Sequence, residues 1–295
     1  MGRVRLGFKT SPQGTDWANL DEIWAQAGEL DVFESGWLND HLTDMNPDEP
    51  GPSLEALTLL ATLVHHVPGK LVGHSVLSNT FRHPVVLAKA ATVLDQATHG
   101  RFLLGIGAGW FDHEHRAFGI PLPPIGERFD RLISAVEVLR ALFSPAAAAL
   151  PGVTRPDPFY PLEGATNTPP PVRPGGPPII LGGQKPRGLA LAARAGDGWV
   201  LPGANAGDVG YFREKRDALL AAMEGVGRDP TGFMFIALAH VGSDDDSFST
   251  ALATAREFAR SGATDIVLGM PPALGPDGIR RVAREVAEPL REVLV

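Results

Sequence analysis

The feature that most constrains this chain is an alternation kept up from one end to the other. Short strand-like runs at residues 4–9, 32–38, 70–77, 101–106, 179–181, 198–201, 233–241 and 265–268 are each followed by a stretch with helical spacing. The first helical stretch shows the pattern clearly, with Trp17, Leu20, Ile23, Trp24, Ala27 and Leu30 falling on one face. Ser53 suits an N-cap for the second helix, and Pro84 suits the first turn of the third. Residues 128–143 place Phe129, Leu132, Ile133, Val136, Leu139 and Leu142 along one side of a long helix. Eight strand-helix units match a TIM barrel, whereas a doubly wound sheet usually shows fewer strands and a crevice at its first βα turn. The expectation is one (β/α)8 TIM-barrel domain over residues 1–295. After its fourth βα unit comes an irregular Pro-rich insertion, residues 145–178, whose prolines forbid a helix or a central strand.

Composition narrows the partners. With 44% hydrophobic and 20% charged residues, the chain can fill a large core. Its formal charge of -8, from 34 acidic and 26 basic residues with no Lys/Arg run, argues against nucleic acid. The longest apolar runs, such as residues 57–64, stop short of the roughly 20 residues that span a bilayer. The first ten residues enter a strand-like alternation directly, without the pattern of a signal peptide. The absence of cysteine removes disulfide and thiolate chemistry and fits the cytoplasm. A small-molecule substrate is the expected partner.

Residues 100–110, GRFLLGIGAGW, pose the functional question. Gly105, Gly107 and Gly109 are spaced G-x-G-x-G with no helix opening directly after them, unlike the dinucleotide fingerprint, and no Lys-Ser/Thr pair ends a Walker loop. At the C-terminal end of a barrel strand, such glycines either let a flat ligand approach the backbone or relieve crowding inside the barrel. Asp112, His113, Glu114 and His115 offer metal-ligand types. However, the barrel hydrolases that bind metal carry H-x-H at the end of the first strand, and here that strand ends Lys9-Thr10-Ser11. No metal is expected.

Residues 81–110, FRHPVVLAKAATVLDQATHGRFLLGIGAGW, resemble the middle of the bacterial luciferase-like family, which includes F420-dependent oxidoreductases and FMN-dependent monooxygenases. Further matches are EHRAFGIPLPPIGERFDRL at 114–132, PPIILGG at 177–183 and LALAARAGDGWV at 189–200, in the right order over most of the chain. The resemblance implies a TIM barrel with the cofactor ring at its C-terminal mouth and hydride transfer between coenzyme F420 and a small organic substrate. Its alternative is an FMN-dependent monooxygenase using O2, with a metal-dependent barrel hydrolase as a remote third, and it admits a homodimer.

By the same resemblance Asp40 lies near the ring, His41 gives a proton or contacts substrate, and Glu114 acts as an acid near the substrate or orients a loop. A bulge with a non-prolyl cis peptide is placed at Ser75 and Val76, behind the ring; His74 departs from the small residue expected beside it. Asn79 is assigned a cofactor contact, and Arg82 and His83 a hold on the fold or on the phosphate side. Gly107, Ala108 and Gly109 line one wall, with Trp110 stacking on ring or substrate. The phosphate is expected on the backbone N–H groups of Gly182 and Gly183 with Gln184 alongside, and an anionic tail would leave past Lys185 and Arg187. Substrate contacts are expected on loops 41–51 and 145–178. The Trp that sugar-phosphate dehydrogenases carry shortly after their Asp-His pair is missing from LTDMNPDEP, which disfavours that substrate.

Overall fold

The structure, a computed structural model, describes residues 3–45, 48 and 51–293. The strands close on themselves. β1 (Arg5–Thr10) pairs with β2 (Ser35–Leu38) and β2 with β3 (Leu71–His74). After a break, the third position continues as β4 (Leu77–Ser78), and both segments pair with β5 (Phe102–Gly107). An antiparallel hairpin outside the barrel, β6 (Val153–Arg155) and β7 (Leu162–Ala165), comes next. Then β8 (Ile179–Leu181), β9 (Gly198–Val200), β10 (Met234–His240) and β11 (Asp265–Gly269) complete the circuit, and β11 returns to β1. All barrel pairings are parallel, which fits the helix between each strand and the next. Around the barrel lie α1 (Trp17–Gly28), α2 (Ala56–Leu63), α3 (Pro84–Ala97), α4 (Asp112–Ala117), α5 (Ile125–Phe143), α6 (Pro186–Ala195), α7 (Val209–Gly225), α8 (Asp245–Arg260), α9 (Gly275–Val282) and α10 (Glu288–Val293).

Strand alternation sorts the side chains into two cores. Leu6 and Phe8 of β1 pack outward under α1, with Phe8 edge-on to Trp24, so Arg5, Gly7 and Lys9 point inward. The interior is filled by Trp37, Leu103, Ile180, Val200, Met234, Ile236, Leu238 and Val267. Burial of each large apolar side chain contributes about 1.5–3 kcal/mol. Gly7 carries no side chain because the Ser35 hydroxyl and the Trp37 indole nitrogen stand where its Cβ would be. At the N-terminal end the inward Arg5 and Asp265 form a two-pronged pair at 2.6 and 2.8 Å.

The third strand departs from the continuous run expected over 70–77. Between the pairs Gly73↔Leu103 and Leu77↔Ile106 it uses one residue more than β5, a bulge that reverses which face later residues occupy. Val72 and Leu77 belong to the outer core, while Val76 turns inward. The Ser75-Val76 peptide is cis. Facing the bulge, β5 has glycine at its inward positions: a Cβ on Gly105 would overlap the His74 carbonyl oxygen, and one on Gly107 would stand 2.8 Å from Val76 Cγ2. The glycines therefore serve the crowding reading, with the neighbouring strand as the crowding partner.

Other expectations shift in detail. Glu55, not Ser53, caps α2, accepting from the Thr58 N–H, while Ser53 Oγ donates to the His41 carbonyl. A short helix, α4, does open soon after the glycines; at six residues it lies below what spacing reveals. The last helical stretch is broken by a π turn at Ala283–Ala287, and its expected end at 294–295 lies outside the described residues. Residues 145–178 join α5 to β8, an αβ connection, so they sit at the N-terminal end of the barrel. There Asp95 accepts the N–H groups of Val172 and Arg173, and Asn167 donates to Thr92.

Replacing Gly107 with alanine is expected to destabilise the fold by about 1–3 kcal/mol through overpacking against Val76. Urea unfolding would read this as a lower midpoint at unchanged slope. Adding Val76→Ala should recover most of the loss, so strictly additive losses in the double variant would refute the contact.

Candidate active site

The C-terminal strand ends surround a cavity of about 900 Å³, within the usual size of a ligand pocket. Asp40, His41, Ser75, Val76, Gly107, Ala108, Gly109, Glu114, Gly182, Gly183 and Gln184 all line it. Of the expected residues, Asn79, Arg82, His83 and Arg187 do not; Asn79 is buried, donates its backbone N–H to the Gly107 carbonyl, and leaves Oδ1 without a partner among the described residues. Loop 41–51 reaches the cavity through His41 and Met45, while residues 46, 47, 49 and 50 lie outside the described residues. No residue of 145–178 lines it, which corrects the expectation of substrate contacts there.

His41 and Glu114 meet. His41 follows β2, and Glu114 stands in the first turn of α4 with its side chain 2% exposed. The Glu114 carboxylate accepts the Leu42 N–H at 2.9 Å and stands 3.1 Å from His41 Nδ1. With Nδ1–H donated to the carboxylate, Nε2 is the nitrogen left for chemistry. Trp110 and Phe111 stand edge-on to the imidazole, at 5.8 and 6.0 Å between centroids. Trp110 is largely exposed at the cavity rim.

The other members of the acidic-His run point elsewhere. His115 Nδ1 lies 2.7 Å from the Phe111 carbonyl oxygen and Nε2 lies 2.7 Å from Thr80 Oγ1, which is itself 2.6 Å from Ser78 Oγ. Asp112 pairs with Arg116 on the surface. These four residues do not converge on one point. Among the described residues, a group whose ligand atoms do lie close together is Asp21, His65 and His66, none of which lines the cavity.

Asp40 is held from behind. Its carboxylate accepts the Ser78 N–H at 2.8 Å and both prongs of Arg82, at 2.6 and 2.9 Å. Arg82 also binds Glu55, and although burial opposes its charge, the hydrogen bonds to Asp40 and Glu55 raise its pKa well above the ordinary value. Arg82 therefore holds the fold, not a phosphate, and His83 caps α3. Asp40 serves as a buried strut that ties the strand after the bulge to the loop carrying His41.

Gly182 also takes a different role: its N–H donates to the Ile106 carbonyl at 3.1 Å, and a Cβ there would stand 3.0 Å from Val76 Cγ2. It backs the bulge and cannot offer its N–H to a phosphate. Gly183 has φ +117°, a conformation that favours glycine, and its carbonyl accepts from Trp199 Nε1. Behind it α6 begins with no side-chain cap and with Pro186, which has no N–H, in the first turn, so the Arg187 and Gly188 N–H groups are the helix-start donors that follow the lining residues Gly183, Gln184 and Lys185 in the chain. Arg187 instead pairs with Asp130 on the surface.

Two ionisable lining residues had no assigned role in the sequence. Lys9 ends the inward row of β1, and His240 ends that of β10. Burial alone pushes the Lys9 ammonium down to about 8. Withdrawal from bulk solvent, then the Lys9 charge, hold His240 at about 4. His74, in contrast, points away from the cavity toward α2, where Nε2 donates to the Ala56 carbonyl at 3.1 Å; burial pushes it down to about 4.

A closed parallel barrel with a cavity lined by ionisable groups at its C-terminal strand ends is the TIM-barrel arrangement. The sequence matches the luciferase-like monooxygenase family over residues 5–288, and the chain belongs to that family. It is similar to an F420-dependent glucose-6-phosphate dehydrogenase of Kribbella flavida, 33% identical over 198 residues. That match covers 67% of this chain and 57% of the dehydrogenase. Among solved structures, an F420-dependent secondary alcohol dehydrogenase in complex with an F420-acetone adduct superposes with TM-score 0.77 at 18% identity, over 98% of this chain and 99% of the other. A monooxygenase from Streptomyces bottropensis superposes with TM-score 0.76 at 19% identity, over 99% of this chain and 100% of the other. Among the described residues no helix is long and apolar enough to cross a membrane.

Two expectations follow. Arg82→Met leaves the Asp40 carboxylate buried without a countercharge and should cost about 3–5 kcal/mol in urea unfolding; a loss under 1 kcal/mol would contradict the strut. His74 binds a proton when unfolded from about pH 6.5 down, but folded only near 4, so stability falls as pH falls through that window. At pH 5 this amounts to about 2 kcal/mol. His74→Leu should flatten the fall in urea midpoint between pH 7 and 5, and an unchanged profile would assign the fall to other groups.

Proposed function

We propose that residues 1–295 act as one catalytic domain, an oxidoreductase passing a hydride between coenzyme F420 and a small organic substrate at the barrel mouth. The observation that carries the reading is the His41–Glu114 pair facing a 900 Å³ cavity whose wall ends in an uncapped helix start. The F420 dependence of the similar dehydrogenase supports the choice of coenzyme.

The residues present fit such a group. The first-turn N–H groups of α6, with Gly183, Gln184 and Lys185, would hold its phosphate. Ser75, Val76 and Ala108 would line its ring, and Ser75 Oγ is a buried hydroxyl at that wall with no protein partner. Bound there, the coenzyme supplies the hydride chemistry. His41 takes up or returns a proton at Nε2. Glu114 fixes the ring through Nδ1–H and stabilises the imidazolium that forms, while the Leu42 N–H keeps the carboxylate in place. Trp110 and Phe111 shield the imidazole from water.

A second reading, an FMN-dependent monooxygenase, draws on the likeness to the Streptomyces bottropensis fold. Fluorescence titration separates the two: F420 should bind and FMN should not. Tight binding of reduced FMN with no binding of F420 would transfer the site to the second reading. Glu114→Gln should lower kcat on responsive alcohols or ketones by about 10²–10⁴ while leaving F420 affinity unchanged. Unaltered turnover would remove His41–Glu114 from the chemistry.

A further inference from the structure

The inward row of β1 ends in Lys9 and that of β10 in His240, and both register with the same residue of β11, Gly269. That glycine has no side chain because the His240 ring occupies the space of its Cβ. Below this level the interior is apolar, and the pair at the barrel's other end, Arg5 with Asp265, is mutually satisfied. Lys9 is only 9% exposed, and no carboxylate among the described residues pairs with it. Among the described residues burial is the cause of its shift, in keeping with the lack of a paired carboxylate there. A buried cation without a partner is costly, and the cost is recovered when a ligand brings the opposite charge. His240 shows its ring to the same cavity and, uncharged near neutral pH, adds an N–H donor without a second positive charge.

We infer that Lys9 and His240 form a carboxylate subsite inside the cavity, so that the chain takes organic acids as substrates, with the acid group on Lys9 and the apolar portion against the barrel wall. The inference rests on the proposed function for what happens to the substrate, but the subsite itself is testable without coenzyme.

The test uses hexanoate and its neutral analogue hexanamide on the coenzyme-free protein, followed by calorimetry and by 13C NMR of lysine Cε. The chain has five lysines, which keeps that spectrum assignable. Hexanoate should bind at least tenfold more tightly than hexanamide and should move the Lys9 resonance. Lys9→Met should abolish the discrimination while leaving F420 affinity within twofold. Equal binding of the two probes, or an unmoved Lys9 signal, overturns the subsite even if the variant fails to fold, since both are read on the wild-type protein. A large loss of F420 affinity in Lys9→Met would assign the amine to the coenzyme and also overturn it. Failure of the wild-type protein to bind F420 would count against the proposed function alone.

Discussion

The inward positions of β5 that carry no side chain govern how this barrel is built at its mouth. Because Gly105 and Gly107 leave that space open, the third strand can take an extra residue and lean inward, placing the His74 carbonyl and Val76 against the bare backbone. Gly182, just after β8, closes the other side of Val76. The consequences pass on by hydrogen bonds. Ser78, just beyond the bulge, gives its N–H to Asp40 and so fixes the loop from β2 that bears His41. Ser78, Thr80 and His115 then form a short polar chain that reaches α4, the helix that presents Glu114. Three bare positions, two on β5 and one just after β8, thus help bring together two residues that are 73 apart in sequence.

The interior has opposite electrostatic characters at its two ends. At the N-terminal end Arg5 and Asp265 satisfy each other, which suits a region that only needs to stay closed. At the C-terminal end Asp40 is neutralised from behind by Arg82, whereas Lys9 has no paired carboxylate among the described residues. An unpaired charge in a protein interior is rarely retained for stability, so the imbalance supports the proposed function's choice of this end for ligands. The open start of α6 adds a second place, on another wall, where negative charge is favoured.

Much of the barrel was legible because strand and helix periods differ and repeat. Residues 179–181 and 186–195 were bounded as the structure has them. The bulge escaped the periodicity itself: Val76 reads as an outward residue until one residue is inserted ahead of it, and only the family resemblance located it. Gly182 was misread because a glycine near a helix start looks like a phosphate loop, while its N–H was already committed to Ile106. Lys9 was passed over for a similar reason. In VRLGFK the apolar Leu6 and Phe8 look like a buried face and Lys9 like a solvated one, yet in a barrel both faces are covered and the polar-looking face turns inward.

The Pro-rich segment shows how selectivity is distributed. A long irregular loop usually suggests a role in binding, but an αβ connection returns the chain to the barrel's N-terminal end, away from the strand ends that form the cavity. Its contacts to Asp95 and Thr92 pack it against α3, so it braces the outer layer. Under the proposed function, discrimination between substrates would fall to residues around the mouth itself: Met45 in the loop after β2, Trp110 at the rim, Met270 after β11, and Lys9 and His240 at the ends of their inward rows. Most of these project from strands or from the residues beside them. Their placement is set by barrel register, which favours a pocket shaped before the ligand arrives over one assembled around it.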